Sequence, residues 1–260
     1  MIVWGKVIGG VTGFAMGGPL GAFLGVIAGY AVDRSRVQAT ERIVHWSQGH
    51  PEQHTYSQEE RQIAFSIAVI VLGAKLAKVD GVVTRAEVDA FKEIFRIPPE
   101  DVAEVAKVFD EARHDSTGFE LYAQQAAELF SHQPHVLEEL LGGLILMAKA
   151  DGMVSPHERS YLRSVANIFG FYERTFNRLL ASHLGGMGGS DKIDPYAVLG
   201  IHRRTSDADI KKTYRQLIRE NHPDTLIAQG MPSEFVAVAN GKMAAINAAY
   251  DLIEKERGLR

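Results

Sequence analysis

The sequence predicts an all-α protein built from an N-terminal transmembrane helix, a helical middle domain and a C-terminal helical hairpin. Residues 7–32 carry no charged side chain, and a glycine-rich run at 185–190 sets the last module apart. Between 57 and 182 the apolar residues recur at helical spacing, with few alternating runs. The predicted parts are an anchor over 1–32, a juxtamembrane linker over 33–56, the middle domain over 57–184, a linker over 185–191 and the C-terminal module over 192–260.

Composition limits the classes of function that the 260 residues can perform. Hydrophobic residues make up 46% of the chain, which is enough for packed cores. The absence of cysteine excludes disulfides, thiolate zinc sites and cysteine nucleophiles, and it is typical of a reducing compartment. The net charge of -4 provides no overall basic field, so no nucleic-acid partner is predicted.

The uncharged N-terminal run is long enough to cross a bilayer, because its 26 residues, 7 to 32 inclusive, span about 39 Å as a helix. Glycine recurs at every fourth position and would form one ridge without side chains. Close backbone approach along such a ridge is how small-xxx-small helices associate in lipid. The sequence therefore predicts a membrane-embedded homodimer through Gly9, Gly13, Gly17, Gly21, Gly25 and Gly29.

The charges that flank this run predict its orientation. Lys6 precedes it, whereas Arg34, Arg36 and Arg42 follow it. The positive-inside tendency then places the bulk of the chain in the cytoplasm, behind a single membrane pass. A cleaved signal peptide would have a shorter apolar run. A glycine-rich hairpin broken at Pro19 is the other alternative.

The middle domain contains an internal repeat. "AKVDGVVTRAE" at 77–87 returns as "AKADGMVSPHE" at 148–158, which indicates duplicated helical hairpins. A glycine in each copy is typical of a helix C-terminus, and Thr84 with Glu87, like Ser155 with Glu158, predicts a capping box that opens the next helix. Helices are expected near 58–79, 85–96, 99–112, 119–131, 136–150, 156–169 and 173–183.

Capping leaves one pair of acidic side chains in the repeat unexplained. Asp80 and Asp151 are candidates to join Glu87 and Glu158 as oxygen ligands of Ca²⁺ or Mg²⁺. Neither copy has the alternating acidic ligands of an EF-hand loop, so helix punctuation alone remains an alternative. His132 and His135 are a similar case, for which we expect a solvated loop rather than a metal site.

The C-terminal module begins with a short helix capped by Asp194 and ended by Gly200. A second helix after Ser206 has a predicted buried stripe of Ile210, Tyr214, Leu217 and Ile218. Its other face carries a basic stripe, which is either an ordinary solvated face or a docking surface for an acidic partner. The stripe consists of Lys211, Lys212, Arg215 and Arg219.

The tripeptide His222-Pro223-Asp224 follows the basic helix directly. Pro223 lacks an amide hydrogen and disfavours the α conformation at His222, so the helix should stop there. The imidazole and the carboxylate are then held at an exposed corner, at the tip of a hairpin closed by a long third helix. The expected inner face of that helix is Phe235, Met243, Ile246, Ala249, Tyr250 and Ile253.

These motifs resemble known families. The middle stretch with its two Asp-Gly-x-Val-Ser/Thr-x-x-Glu units resembles TerB-like tellurite-resistance domains, for which acidic metal-binding positions have been proposed. The ordered motifs "DPYAVLG", basic helix, His-Pro-Asp and "INAAYDLI" resemble a J-domain over about 192–257. Together with the glycine-rich anchor, the arrangement is similar to the DjlA family of membrane-anchored, DnaJ-like co-chaperones of Gram-negative bacteria.

The resemblance implies a stress-response co-chaperone of the inner membrane that binds a DnaK-type chaperone and has no active site or cofactor of its own. His222, Pro223 and Asp224 would trigger ATP hydrolysis in the partner, and the basic stripe would dock it. Asn221 stands where an aromatic is common and Thr225 where a lysine is common. The Gly/Phe-rich segment and cysteine zinc repeats of DnaJ are missing from the sequence.

Two other classes of function compete with this interpretation. A hydrolase using His222 and Asp224 would need a nucleophile or a metal nearby, and the sequence places none beside them. A membrane-tethered scaffold or metal-responsive module, in which DnaK recruitment is secondary, is the stronger alternative. Stabilisation of the middle domain by a metal would favour it.

Overall fold

The computed structural model describes residues 57–81, 83–114, 118–150, 152–184 and 194–259. Within these ranges the chain is helical and has no β-strand, which confirms the all-α prediction. The described helices include none that is both long and apolar enough to cross a bilayer. The predicted anchor with its glycine ridge, both linkers and Asp151 lie outside the described residues.

Seven helices lie in the described residues of the middle domain. They are α1 Gln58–Lys78, α2 Arg85–Ile94, α3 Val102–Ala112, α4 Phe119–Leu129, α5 Pro134–Ala148, α6 Pro156–Ile168 and α7 Glu173–Leu184. The C-terminal module contains α8 Pro195–Leu199, α9 Asp207–Glu220, α10 Pro223–Ala228, a 3-10 helix Ser233–Phe235 and α11 Val236–Arg257.

Helix α1 is the centre of the middle domain. Every residue from Ile63 to Ala77 is buried, because α1 is apolar on all sides and α3, α4 and α5 pack around it. Its N-terminus is fixed by a capping box between Ser57 and Glu60. A central helix of this kind brings the two hairpin repeats onto one shared core.

The repeat turns follow the predicted capping chemistry. The Glu87 Oε2 atom accepts a hydrogen bond from the Thr84 amide at 2.6 Å, and the Thr84 hydroxyl accepts one from the Glu87 amide at 3.2 Å. Ser155 and Glu158 form the same pair. Gly152 adopts a φ of 124°, which a side chain would strain.

Two helix starts differ by two or three residues from the predicted positions. Helix α3 begins at Val102 rather than at 99, and α5 begins at Pro134 rather than at 136. Proline fits the first turn of a helix because its missing amide hydrogen has no partner there. As a consequence His135 lies in the first turn of α5 and is largely buried, which corrects the expectation of a solvated loop.

The C-terminal hairpin forms as predicted. Asp194 and Ser206 cap α8 and α9, and Gly200 ends α8 in the left-handed conformation at a φ of 66°. Helices α9 and α11 pack together, with the rings of Tyr214 and Tyr250 stacked at 4.0 Å. The predicted faces are buried at Ile210, Leu217, Ile246, Ala249 and Ile253.

The hairpin differs from the prediction at its tip and in its independence. Helix α10 and the 3-10 helix lie between α9 and α11 and pack onto the middle domain. Phe235, predicted on the inner face of the third helix, instead lies 4.6 Å from Phe65 and 5.0 Å from Phe95, measured between ring centroids. The C-terminal segment therefore completes the core of the middle domain through Leu226, Met231, Phe235 and Ala239.

Candidate partner-binding site

The basic stripe lies on the outer face of α9. Lys212, Arg215 and Arg219 are exposed, and Lys211 is half-buried. Ile210 and Leu217 bury the opposite face, so packing in the hairpin orients the cations outward. The stripe thus forms a positive surface that ends beside the His-Pro-Asp tripeptide.

The tripeptide is the start of a helix rather than a loop. Helix α9 ends at Glu220, and His222 is extended, with φ -65° and ψ 131°, as the N-cap of α10. Its Nδ1 atom accepts a hydrogen bond from the Asp224 amide at 3.2 Å. Because Nδ1 is the acceptor, the neutral imidazole carries its proton on Nε2.

Both polar side chains of the tripeptide remain open to a partner. The side chain of His222 is 50% exposed and that of Asp224 is 89% exposed, and the Asp224 Oδ2 atom lies 3.8 Å from Nδ1. Pro223 is the first residue of α10 and holds the backbone in the helical φ range. The corner therefore presents an imidazole and a carboxylate on a stiff backbone.

The two departures from the J-domain pattern both make hydrogen bonds within this corner. Asn221 is fully buried, and its Nδ2 atom donates a hydrogen bond to the Leu217 carbonyl at 2.8 Å. The Thr225 hydroxyl donates to the Arg219 carbonyl at 3.4 Å and so joins α10 to α9. These contacts depend on the turn between the helices, and the sequence alone did not reveal them.

The segment behind the tripeptide is attached to helix α1. The Gln58 Nε2 atom donates to the Ile227 carbonyl at 3.1 Å, and the Gln62 Nε2 atom donates to the Met231 carbonyl at 3.5 Å. Between them Gly230, at a φ of 110°, packs so closely on α1 that an added Cβ would lie 2.7 Å from the Cβ of Arg61. The middle domain therefore holds the chain that follows the site.

A buried charge cluster, consisting of Glu138, Glu139, Arg178 and Lys242, also joins the two modules. The Lys242 Nζ atom of α11 lies 2.7 Å from Glu138 Oε2 and 2.8 Å from Glu139 Oε1, both on α5. Arg178 of α7 donates to Glu138 Oε1 at 2.6 Å. This cluster was not predicted from the sequence, although the two adjacent glutamates directly before the apolar run "LLGGLILMA" were a signal of a buried charge.

Burial and charge act in opposite directions on the two glutamates. Burial alone would raise the pKa of Glu138, but Lys242, His135 and Arg178 hold it well below its usual range. For Glu139 burial outweighs the attraction of Lys242, and the pKa is raised. Glu138 is therefore the firmly ionised centre of the buried charge cluster.

The predicted metal ligands are occupied by other contacts or lie outside the described residues. Glu87 and Glu158 accept the capping hydrogen bonds of α2 and α6, and Asp80 lies 3.3 Å from His157 Nδ1. In the parts of the chain that the structure describes, no three His, Asp or Glu side chains are grouped to hold an ion. A metal site that includes Asp151 stays a prediction.

Comparison with protein-family models divides the chain into three matched segments. Residues 1–39 match the transmembrane domain of the co-chaperone DjlA, residues 66–181 match the tellurite resistance protein TerB, and residues 194–258 match the DnaJ domain. The search of solved structures found no match. The described DnaJ segment begins at the cap of α8 and contains the site.

Curated relatives match over the whole chain. A Co-chaperone protein DjlA from Photobacterium profundum is 30% identical over 282 residues, which cover 99% of this chain and all of the relative. Proteins of the same name from Coxiella burnetii and Vibrio cholerae are 27% and 28% identical and cover 98% and 100% of this chain.

The exposed tripeptide, the basic helix and the matched segments define a J-domain co-chaperone that also carries a TerB domain and a transmembrane domain. The full-length match to relatives then assigns the particular family. The chain belongs to the DjlA family of co-chaperone proteins.

Proposed function

We propose that this protein is a membrane-anchored co-chaperone whose J-domain stimulates ATP hydrolysis by a DnaK-type chaperone. The observation that carries the proposal is the exposed His222-Pro223-Asp224 corner at the end of the basic stripe. In this arrangement the partner keeps the nucleotide and the catalytic groups. The J-domain protein itself supplies a binding surface and no reacting atom.

Binding proceeds through two kinds of interaction. The basic stripe attracts an acidic partner over a distance of about one Debye length, roughly 8 Å at physiological ionic strength, so it acts mainly on the rate of encounter. The tripeptide then makes its contacts at short range. If those contacts are stronger in the hydrolysis-competent state of the partner, binding shifts the partner towards that state.

The anchor places this activity at a membrane. The match of residues 1–39 to a transmembrane domain supports a membrane attachment, and we extend it to a single pass through the bacterial inner membrane with the bulk of the chain in the cytoplasm. We also propose that the glycine ridge pairs two copies. Replacing the span with an unrelated single helix should abolish cross-linking between copies, and unchanged cross-linking would remove the pairing role.

The first experiment measures single-turnover ATP hydrolysis by DnaK with the full chain reconstituted in nanodiscs. His222→Gln should lose the acceleration, because the amide cannot reproduce both ring nitrogens at the corner. His114→Gln is a matched control, since His114 is an exposed histidine of the middle domain. Equal hydrolysis with and without the wild-type chain would refute the proposal and favour the scaffold alternative.

The basic stripe makes a separate prediction. Reversing one exposed charge, Arg215→Glu, should raise the concentration needed for half-maximal stimulation of DnaK while leaving the maximal rate nearly unchanged, because the stripe acts on encounter. The effect should shrink as salt is added. Lys255→Glu is the control, because Lys255 is exposed on α11 near the opposite end of the hairpin. A defect of equal size in both variants would contradict a specific role for the stripe.

A further inference from the structure

We propose that the middle domain is a positioning part of the co-chaperone site, with Lys242 as the positioning residue that locks the J-domain onto it. The inference rests on the proposed function, because it concerns how the His-Pro-Asp corner is held. It assigns a role to the charge cluster between α5, α7 and α11, which binding of a partner to α9 does not require. The corner is then shared by both modules.

The ion pairs of Lys242 cross the boundary between the modules. Its side chain is fully buried, although it belongs to the J-domain helix α11, and both of its carboxylate partners belong to α5 of the middle domain. One of them, Glu138, also binds Arg178 of α7. Separation of the modules would leave Lys242 and Glu139 without an ion-pair partner, whereas Glu138 would keep Arg178. A partial opening that broke these pairs without admitting water would be costly.

A second contact region is formed by the segment that precedes α11. Leu226, Met231 and Phe235 are fully buried in the core of the middle domain. The two glutamine side chains of α1 bind the backbone of the same segment. The segment that begins at Pro223 is thus held against α1 and the core of the middle domain, while the buried charge cluster holds α11 against α5.

A third bridge reaches the helix that carries the basic stripe. The Nε2 atom of His135 on α5 lies 3.5 Å from Glu220 Oε2, in the last turn of α9, and its Nδ1 atom lies 3.8 Å from Glu138 Oε2. His135 therefore connects the buried charge cluster to the residue two positions before His222.

The docked arrangement leaves the partner surface open. His222, Asp224, Lys212 and Arg215 are exposed while Lys242 is buried. The lock therefore holds a state that is competent to bind, rather than one that hides the site. Releasing Lys242 should loosen the corner and weaken the response of DnaK.

Either a single or a double variant removes the ion pairs of Lys242, and the double variant does so without leaving an uncompensated charge. Lys242→Met keeps the length of the side chain but leaves Glu138 and Glu139 with Arg178 alone. The double variant Glu139→Gln, Lys242→Met removes one charge of each sign, so Glu138 still pairs with Arg178. Lys255→Met is the matched control, because it makes the same change on an exposed position of the same helix.

Two measurements on the full chain in nanodiscs test the inference. Hydrogen exchange followed by mass spectrometry reports protection at 223–239 and at 134–148, and α6 serves as the internal reference. Titration of DnaK hydrolysis separates the half-stimulating concentration from the maximal rate. In the double variant we expect faster exchange in both ranges, unchanged exchange in α6 and a several-fold higher half-stimulating concentration, with Lys255→Met behaving as wild type.

Each other outcome has a defined meaning. Unchanged exchange at 223–239 overturns the lock, and faster exchange with unchanged DnaK stimulation overturns the positioning role. If the wild-type chain fails to stimulate DnaK, the proposed function fails, while the exchange data still decide whether Lys242 locks the modules. If the double variant also loses protection in α6, a milder variant replaces it. Gln62→Leu removes a single hydrogen bond of the same interface and should raise exchange at 223–239 alone. No change in exchange at 223–239 then overturns the inference.

Discussion

At the scale of single residues, the most unusual environment belongs to a histidine that sequence analysis did not single out. His183, near the end of α7, is buried, and no described residue forms a hydrogen bond with its Nε2 atom. Burial, with a smaller contribution from the charge of Lys242, lowers its pKa to about 3. The imidazole is therefore neutral in the folded protein over the physiological pH range.

This burial makes stability depend on pH. The unfolded chain binds a proton at His183 below about pH 6.5 and the folded chain does not, so the free energy of unfolding falls as the pH falls from 6.5 towards 3. Between pH 7 and pH 5 the loss from this one group is about 2 kcal/mol. Urea unfolding of the wild type and of His183→Gln at both pH values measures it. The loss between the two pH values should be smaller in the variant by about this amount, and equal losses would show that His183 does not titrate on unfolding.

At the scale of elements, α5 shows why a helix at a domain boundary contains glycine. Gly142 and Gly143 lie in its interior, where each costs about 1 kcal/mol relative to alanine. An added Cβ at Gly143 would lie 2.6 Å from the Phe95 ring, and one at Gly142 would collide with the His183 imidazole. Close packing against α2 and α7 therefore requires glycine at these two positions, although glycine is a poor helix former.

Alanine substitutions separate propensity from packing. Gly143→Ala should lower the free energy of unfolding by about 1–2 kcal/mol, because overpacking in a dense core costs more than the gain in propensity. Gly241→Ala should instead raise it by about 0.5–1 kcal/mol, since Gly241 lies on an exposed face of α11 with no atom within 4 Å of an added Cβ. Thermal melting of both variants provides the comparison. Stabilisation by Gly143→Ala would contradict the packing argument.

At the scale of the whole molecule, the J-domain and the middle domain share one hydrophobic core. Phe235 contacts Phe65 of α1 and Phe95 at the C-cap of α2, both more than 100 residues earlier in the chain. Because the two modules share this core, the middle domain and the J-domain should unfold together. The loss of one side chain in the shared core should then reach both modules.

Truncation of that side chain tests the shared core. Phe235→Ala should cost about 3–5 kcal/mol, and hydrogen exchange should rise both in α6 of the middle domain and in α9 of the J-domain. Tyr172→Ala is the control, because Tyr172 is 77% exposed and its removal should change stability by less than about 0.5 kcal/mol. A rise confined to residues 194–259 would show that the modules unfold separately.

Local chemistry explains what could be predicted of these helices. The Ser/Thr and Glu pairs of the repeat, the Asp194 and Ser206 caps and the helix-stopping Pro223 act on neighbours within four residues, so their effect is visible in the sequence. The start of α5 belongs to the same local kind but was not predicted, because Pro134 fits the first turn of a helix and so brings His135 into it.

By itself, the sequence determined the faces of α9 and the position of the tripeptide, because these depend on short-range periodicity and on turn chemistry. The class of protein and the order of its parts followed from the resemblance of its ordered motifs to known families. Only the tertiary structure decided what covers each apolar face. Periodicity shows that Phe235 is buried without showing that α1 and α2 bury it, and Lys242 is a residue type that is almost always exposed. Its burial follows from two glutamates about 100 positions away, and a contact over that separation has no local signal in the chain.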